Sequence, residues 1–336
     1  MVKEKTRTLK KLLSFVLFCL LTLVITAVLS GICRPKAMNR FFMLSEYLEE
    51  NPEKQQCEIK VFGSCHAYTS FDPILLREQT GLDSFVYANP CEIIPTTYAR
   101  MVEQFKKHVP QVALVETWGI DPYDTYLEAE EILGEYLKSN LASMDFSLAR
   151  ERVIWDYIPH REIVETTFPF FLYRGRLINR SVKAVDFDYS FEQASELNSP
   201  GIQREIRSRL ENDGFKRNLT GSVPEYRNWQ SHIEAGETAE LDPVILGYIQ
   251  RIIELCRDNG VTLIFYRAPY LSSQNELRCC NTLRQLCEES GVLYVDLERE
   301  IEFDYTTDFF DYQHLSAAGA AKATALLGEY IAEAMK

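Results

Sequence analysis

The chain has 336 residues, 46% of them hydrophobic, and a formal net charge of −13. That length supplies one large core or two modest ones. The charge is uneven, +7 over residues 1–40 and −20 over the rest, and so acidic a body excludes nucleic acid as the main partner.

Leu12 to Cys33 is almost wholly apolar and uncharged, which is long enough to cross a hydrocarbon core. Lys3, Lys5, Arg7, Lys10 and Lys11 precede it, and Arg34, Lys36 and Arg40 follow. The N-terminal excess places that end in the cytoplasm and the body outside, as a single-pass protein of the cell membrane. A cleaved signal peptide is the rival reading. The apolar region is unusually long for one, and no small-x-small cleavage site is evident. The expected organisation is a cytoplasmic tail and transmembrane anchor over 1–36, a linker helix over 37–56, and a folded domain over 57–336 with an insertion at about 122–236.

Of nine cysteines, Cys19 and Cys33 belong to the anchor. The other seven are Cys57, Cys65, Cys91, Cys256, Cys279, Cys280 and Cys287. An odd number outside the cell leaves at least one thiol unpaired. No metal-ligand spacing is present. Cys65, His66 and His314 are a conceivable set that nothing in their spacing supports, so no metal is expected.

Met38 to Asn51 reads as an amphipathic helix leading away from the membrane. Glu58 to Phe62 is the first core strand, and it ends abruptly in Gly63-Ser64-Cys65-His66. Asp72-Pro73 caps a helix running to Gln79, with Gly81 just past its end. Ser84 to Ala88 is a second strand, Thr96 to His108 a helix, and Gln111 to Glu116 a third, continuously apolar strand of the kind covered on both faces. From about Pro122 to Gly236 regularity is lost, and the chain is aromatic-rich and charged. This stretch is either a lid or substrate wall over the sheet or a helical subdomain without contact to substrate. Asp242-Pro243 starts a helix to Asp258. Val261 to Tyr266 is a fourth strand, Ser273 to Ser290 a helix, Val292 to Asp296 a fifth strand, and Ser316 to Ala334 the last helix. The alternation predicts an α/β fold with an open parallel sheet of about five strands and helices on both faces. Ligands of such sheets bind at the carboxyl ends of the strands.

Two stretches at such ends carry chemistry. The Gly63-Ser64-Cys65-His66 turn exposes a nucleophile-type side chain, and the N–H groups of the helix that follows face a developing anion. Asp311 and His314 lie three apart, so the carboxylate accepts from one imidazole nitrogen while the other faces a nucleophile. His66 and Glu116 lie beside the same rim.

Together, Gly63-Ser64-Cys65-His66 after strand one and Asp311-x-x-His314-Leu315-x-x-x-Gly319 before a C-terminal helix resemble the SGNH (GDSL) hydrolase superfamily. The similarity, over roughly residues 55–330, is to its membrane-anchored bacterial branch, which includes the D-alanyl transfer protein family of teichoic acid synthesis. The resemblance implies a three-layer α/β/α flavodoxin-like fold and a Ser-His-Asp triad acting on esters. His314 would be the base, Asp311 its orienting carboxylate, and Cys65 would stand at the nucleophile position. That cysteine is the main departure, since Ser64 is one residue early. The family's oxyanion donors after strands two and three meet Ala88-Asn89-Pro90-Cys91-Glu92 and Glu116-Thr117-Trp118-Gly119, and neither matches cleanly. Ser64, Asn89, Cys91, His66 and Glu116 remain the candidates for oxyanion and substrate contacts, with the Cys65 N–H.

Three readings of Cys65 stay open: a thiolate nucleophile, a degenerate site that binds without turnover, and a disulfide with Cys91. The implied function is an extracytoplasmic acyl esterase or acyltransferase acting on a cell-envelope or exported polysaccharide without a cofactor, with a membrane-bound acyltransferase as a possible partner. The alternative is an accessory protein that binds polymer or such a partner and turns nothing over.

Overall fold

A computed structural model describes residues 2–33, 41–121, 130–173, 200–218, 233–234 and 236–336. The basic flank at Arg34, Lys36 and Arg40, and stretches 122–129, 174–199 and 219–232 of the expected insertion, lie outside them.

Helix α1 spans Val2–Cys33. Its part from Arg7 to Cys33 is long and apolar enough to cross a membrane, and its apolar side chains, such as Leu12, Phe15, Phe18 and Leu21, are exposed. After α2 (Met43–Glu50), strand β1 (Ile59–Gly63) leads through α3 (Cys65–Ser70) and α4 (Pro73–Thr80) to β2 (Ser84–Ala88). Helix α5 (Ile94–Lys107) returns the chain to β3 (Val112–Glu116). The stretch read as irregular is helical where described: α6 (Glu130–Ser143), α7 (Leu148–Tyr157), α8 (Ile163–Thr167), α9 (Pro169–Tyr173) and α10 (Pro200–Glu211). These helices are mostly short and mix aromatic with charged residues, so their apolar period is weak in the sequence. The alternation resumes with α11 (Pro243–Asp258), β4 (Thr262–Arg267), α12 (Gln274–Ser290), β5 (Leu293–Asp296), α13 (Leu297–Glu300) and α14 (Ala317–Ala334).

The five strands form one parallel sheet in the order β2-β1-β3-β4-β5. In this doubly wound order the chain switches direction between β1 and β3, and the crevice at their carboxyl ends is the expected ligand site. Side chains alternate across the sheet. Phe62, Tyr87, Val115 and Phe265 face α5, α11 and α12, whereas Val61, Val86, Leu114 and Ile264 face α3, α4 and α14. Caps fix where the helices start: the side chains of Asp72 and Asp242 each accept from two backbone amides of the first turn, with Pro73 and Pro243 at the first helical position.

The chain leaving α10 straps three elements together. The Val86 amide donates to the Asp213 carbonyl at 2.9 Å, covering the β2 edge. The Lys216 amide donates to the Tyr68 carbonyl of α3 at 2.7 Å, and the Ala317 amide donates to the Asn218 carbonyl at 2.8 Å. Beside the last turns of α1, the Phe170 amide donates to Ser30 Oγ at 3.1 Å. An apolar groove of about 470 Å³ separates Leu23, Val24 and Ala27 of α1 from Phe146, Phe168 and Pro169.

Gly319 explains the last position of the C-terminal motif. A Cβ there would lie 2.2 Å from the Asp308 carbonyl oxygen, which accepts the Ser316 amide at 2.8 Å. Gly319→Ala is therefore expected to cost about 1–3 kcal/mol, read as a lower urea midpoint of the full chain in detergent. Gly328→Ala, whose Cβ would meet only Leu76 Cδ1 at 3.2 Å, is expected to cost less. Equal losses would show that α14 does not depend on close approach to the Asp308 loop.

Candidate functional site

Strand β1 is buried along its whole length and ends at Gly63. Gly63 has φ +140°, and a Cβ there would meet Glu116 Cβ at 2.7 Å. Only glycine lets the β1 end pass so close to the β3 end. Ser64 then caps α3, its Oγ accepting from the His66 amide at 3.2 Å. Ser64 is wholly buried, and its hydroxyl also donates to Glu116 Oε2 at 2.8 Å. Its side chain is spent on holding the turn. Cys65 is the first residue of α3 and half-buried. The one-residue offset that separates the two in the sequence thus sends them to different surroundings.

Glu116 is 1% exposed, against the solvated strand end that such a glutamate usually makes. Its Oε2 accepts from the Ser64 amide at 3.3 Å as well as from the hydroxyl, and its Oε1 accepts from the Trp118 amide at 2.8 Å. Burial raises its pKa to about 7, and the hydrogen bonds from Ser64 and Trp118 limit the rise.

The partner half of the site is the loop before α14. The Asp311 side chain accepts from the Gln313 amide at 2.8 Å, an Asx turn that tightens the loop. The Phe310 amide donates to the His314 carbonyl at 2.9 Å. Ser316 Oγ donates to the Thr307 carbonyl at 2.7 Å and caps α14 by accepting from Ala318 and Gly319. The amide Nδ2 of Asn218 donates to the Leu315 carbonyl at 3.1 Å. Asn218 is itself buried, 5% exposed.

Inside this loop, His314 Nδ1 lies 2.8 Å from Asp311 Oδ1 and 3.0 Å from Oδ2. One nitrogen of the imidazole also lies within 4.8 Å of Cys65 Sγ. Burial alone would lower the His314 pKa. The hydrogen bond to Asp311, the nearby Cys65 sulfur and their negative charge outweigh it and push it up to about 9. Partial burial raises the Asp311 carboxyl, but the bonds from His314 and the Gln313 amide hold it below the usual carboxylate value. The sequence stretches 63–66 and 311–314 therefore meet, and the residue facing His314 is Cys65.

His66 lies beside them, 2% exposed. Its ring stacks on Tyr270 at 4.3 Å, lies 5.8 Å from Trp118, and is near-parallel to His314 at 5.4 Å between centroids. Burial and the His314 charge lower its pKa well below the ordinary value, so the ring is neutral. Asn89 and Cys91 sit elsewhere on the rim. The Asn89 side chain donates to the Phe41 carbonyl at 3.0 Å, so it secures the segment before α2. Cys91 is half-buried at φ +55°. No disulfide joins Cys65 and Cys91.

Three contributors went unread in the sequence: Tyr270, Trp118 and Asn218. Tyr270 donates to Glu276 Oε1 at 2.7 Å and forms the wall behind His66. The usable signal was position, since Trp118 and Tyr270 follow the carboxyl ends of β3 and β4.

No protein-family model matches the chain, and no curated protein matches it. Among solved structures, the crystal structure of a "putative acylhydrolase" from Bacteroides fragilis NCTC 9343 aligns over 88% of this chain and 98% of its own. The TM-score is 0.41 and the identity 9%, a likeness too distant to assign a reaction.

The buried Glu116 gives a test of the turn. Its pKa of about 7 lies above the ordinary 4.5. A raised carboxyl stabilises the fold fully below the ordinary value, and that contribution is lost as pH rises through the folded value. Over that window the wild type is expected to lose on the order of 3 kcal/mol relative to Glu116→Gln, which cannot ionise. Urea unfolding of both proteins at about pH 4.5 and 7.5 measures this; parallel pH dependence would exclude a buried carboxyl that resists ionisation.

Proposed function

We propose that this chain is a membrane-anchored, extracytoplasmic acyl esterase or acyltransferase working through a Cys65–His314–Asp311 triad on acyl esters of an envelope or exported polysaccharide. The observation that carries the reading is the line from Asp311, hydrogen-bonded to His314, to Cys65 Sγ within 4.8 Å of the ring, at the switch point of the sheet. The polymer, the side of the membrane and the triad roles echo the sequence resemblance.

In the first step, the Cys65 sulfur attacks the ester carbonyl carbon. The C–O bond to the leaving alcohol breaks, and the His314 imidazolium donates the proton that the alkoxide takes. A thioester remains on Cys65 and His314 is neutral. In the second step, His314 removes a proton from water or from an acceptor hydroxyl, whose oxygen attacks the thioester. The Cys65 thiolate leaves and the imidazolium is restored. Asp311 fixes the ring orientation and stabilises the imidazolium throughout. The Cys65 N–H, in the first turn of α3 where no intrahelical acceptor exists, is the donor available to the oxyanion.

The seating of the body supports work on substrates close to the membrane. Helix α9 docks on the last turns of α1, and Phe146, Leu148, Trp155 and Val164 of the neighbouring segments are exposed apolar residues. In an aqueous protein such a set is costly, and at an interface it is favourable.

Iodoacetamide is expected to label Cys65 at neutral pH, at least about tenfold more slowly in His314→Ala. Turnover of aryl acyl esters is expected to fall by about 10³-fold or more in Cys65→Ala. Equal labelling of wild type and His314→Ala would sink the triad. Orientation has its own readout: protease added to intact cells should digest the body and spare an N-terminal tag. A protected body would reverse the topology.

A further inference from the structure

The triad accounts for Cys65, His314 and Asp311 but leaves His66 without a task. Cys65 Sγ and one nitrogen each of His66 and His314 lie within 4.8 Å of one another. His66 Nδ1 lies 3.0 Å from Ser64 Oγ. With Glu116 ionised, the Ser64 hydroxyl gives its own proton to Oε2 at 2.8 Å, and Nδ1 is then the donor in that pair. Nε2 is then left as a lone pair, and it is a buried nitrogen with no hydrogen-bond partner. His314 is set up in the same way, with Nδ1 held by Asp311 at 2.8 Å and the other nitrogen turned inward. A ring whose far nitrogen is fixed by a hydroxyl or carboxylate is the arrangement that orients metal-ligating histidines.

The ring placement agrees. Two imidazoles sharing one tetrahedral zinc at about 2.0–2.1 Å have centroids roughly 5 Å apart. His66 and His314 are 5.4 Å apart with planes at 23°. A thiolate completes a donor set of two imidazoles and one sulfur, which suits borderline-soft cations and not calcium or magnesium. Tetrahedral ligation brings donor atoms to within roughly 3.3–3.8 Å of one another, so the set closes by about 1 Å. Cys65 and His314 are only partly buried, which leaves them room to do so.

We propose that Cys65, His66 and His314 form a binding site for a divalent cation of the zinc class, and that its binding reversibly shuts off the thiol chemistry. The cation displaces the proton shared by Cys65 and His314, takes the sulfur lone pair and leaves a fourth position open to water. The ligand role of the three residues stands on geometry alone. Only the shut-off rests on the proposed acyl chemistry.

Zinc alone, titrated calorimetrically into the full-length protein in detergent after chelator treatment, is the test. One zinc per chain is expected, with a Kd below about 1 µM. Cobalt should bind in its place with a cobalt–thiolate charge-transfer band that Cys65→Ser abolishes. His66→Gln should weaken zinc binding about 100-fold, and Asp311→Asn, at a half-exposed position, should weaken it about 10–100-fold through His314. The second variant decides the matter if His66→Gln fails to fold. No binding at about 100 µM zinc, unchanged affinity in both variants, or a cobalt band that survives Cys65→Ser would overturn the site. Zinc should also stop ester turnover, and chelator should restore it. Turnover indifferent to zinc would remove the cation site and leave the triad. Zinc binding by a metal-free protein that turns no ester over would leave the cation site and remove the triad.

Discussion

A single buried carboxylate holds the working end of the sheet together. Glu116 ends β3 and collects both the amide and the hydroxyl of Ser64 at the end of β1, along with its own neighbour's amide at Trp118. Burying a carboxyl among apolar strands is expensive, and three donors offset that cost. The same contact dictates the residue before it, because Gly63 must leave room for Glu116 Cβ and take φ +140°. With Gly63 and Ser64 fixed, the first turn of α3 can start only at Cys65. The position of Cys65 is thus set by a strand-to-strand staple and not by the residue itself.

The other half of the site is held from a distance. Cys65 and His314 are far apart in sequence, and the loop carrying His314 belongs to no strand of the sheet. Its shape comes from Asp308, whose carbonyl accepts the Ser316 amide while its carboxylate takes the Asp304 amide and Lys322 Nζ, each at 2.7 Å. The strap leaving α10 then links α3 to this loop, through Lys216 on the Tyr68 carbonyl and Asn218 on Leu315 and Ala317. The described end of the insertion therefore acts as a brace between the two halves of the site. Its first helices pack elsewhere, against α5 and, through α9, against α1.

The alternating frame was legible because each signal was local. Continuous apolar runs marked the parallel strands, and Asp-Pro, serine and glycine marked helix ends within a residue or two. Asp311 and His314 were legible for the same reason, since their hydrogen bond spans three residues. What stayed hidden depended on partners far along the chain. Glu116 could be placed only at the rim, because two of the three donors that let it be buried, both from Ser64, are 52 residues away. Asn218 gave no signal because its partner Leu315 is 97 residues away. Asn89 looked like an oxyanion donor, although its amide is engaged 48 residues back at Phe41. Helices α6 to α10 escaped because aromatic and charged residues blur a helical period when the apolar face meets two different surfaces.

Cysteine at position 65 changes what the rest of the site can do. A serine there would need His314 neutral, as a base, to lose its proton. The Asp311 carboxylate and the sulfur instead favour a charged ring, which raises His314 to about 9. In the proposed reaction that charged ring is the acid that protonates the leaving alcohol beside the sulfur. Those demands converge with the demands of a soft cation: a thiolate, inward-facing nitrogens, a carboxylate behind one ring and partial exclusion of water. His66 tips the balance, because acyl transfer through the triad gives its buried Nε2 nothing to bind, whereas a cation does. Serine at position 65 would keep the proposed esterase geometry and lose the sulfur donor, so the departure from serine is the one substitution that couples the two proposed activities to a single atom.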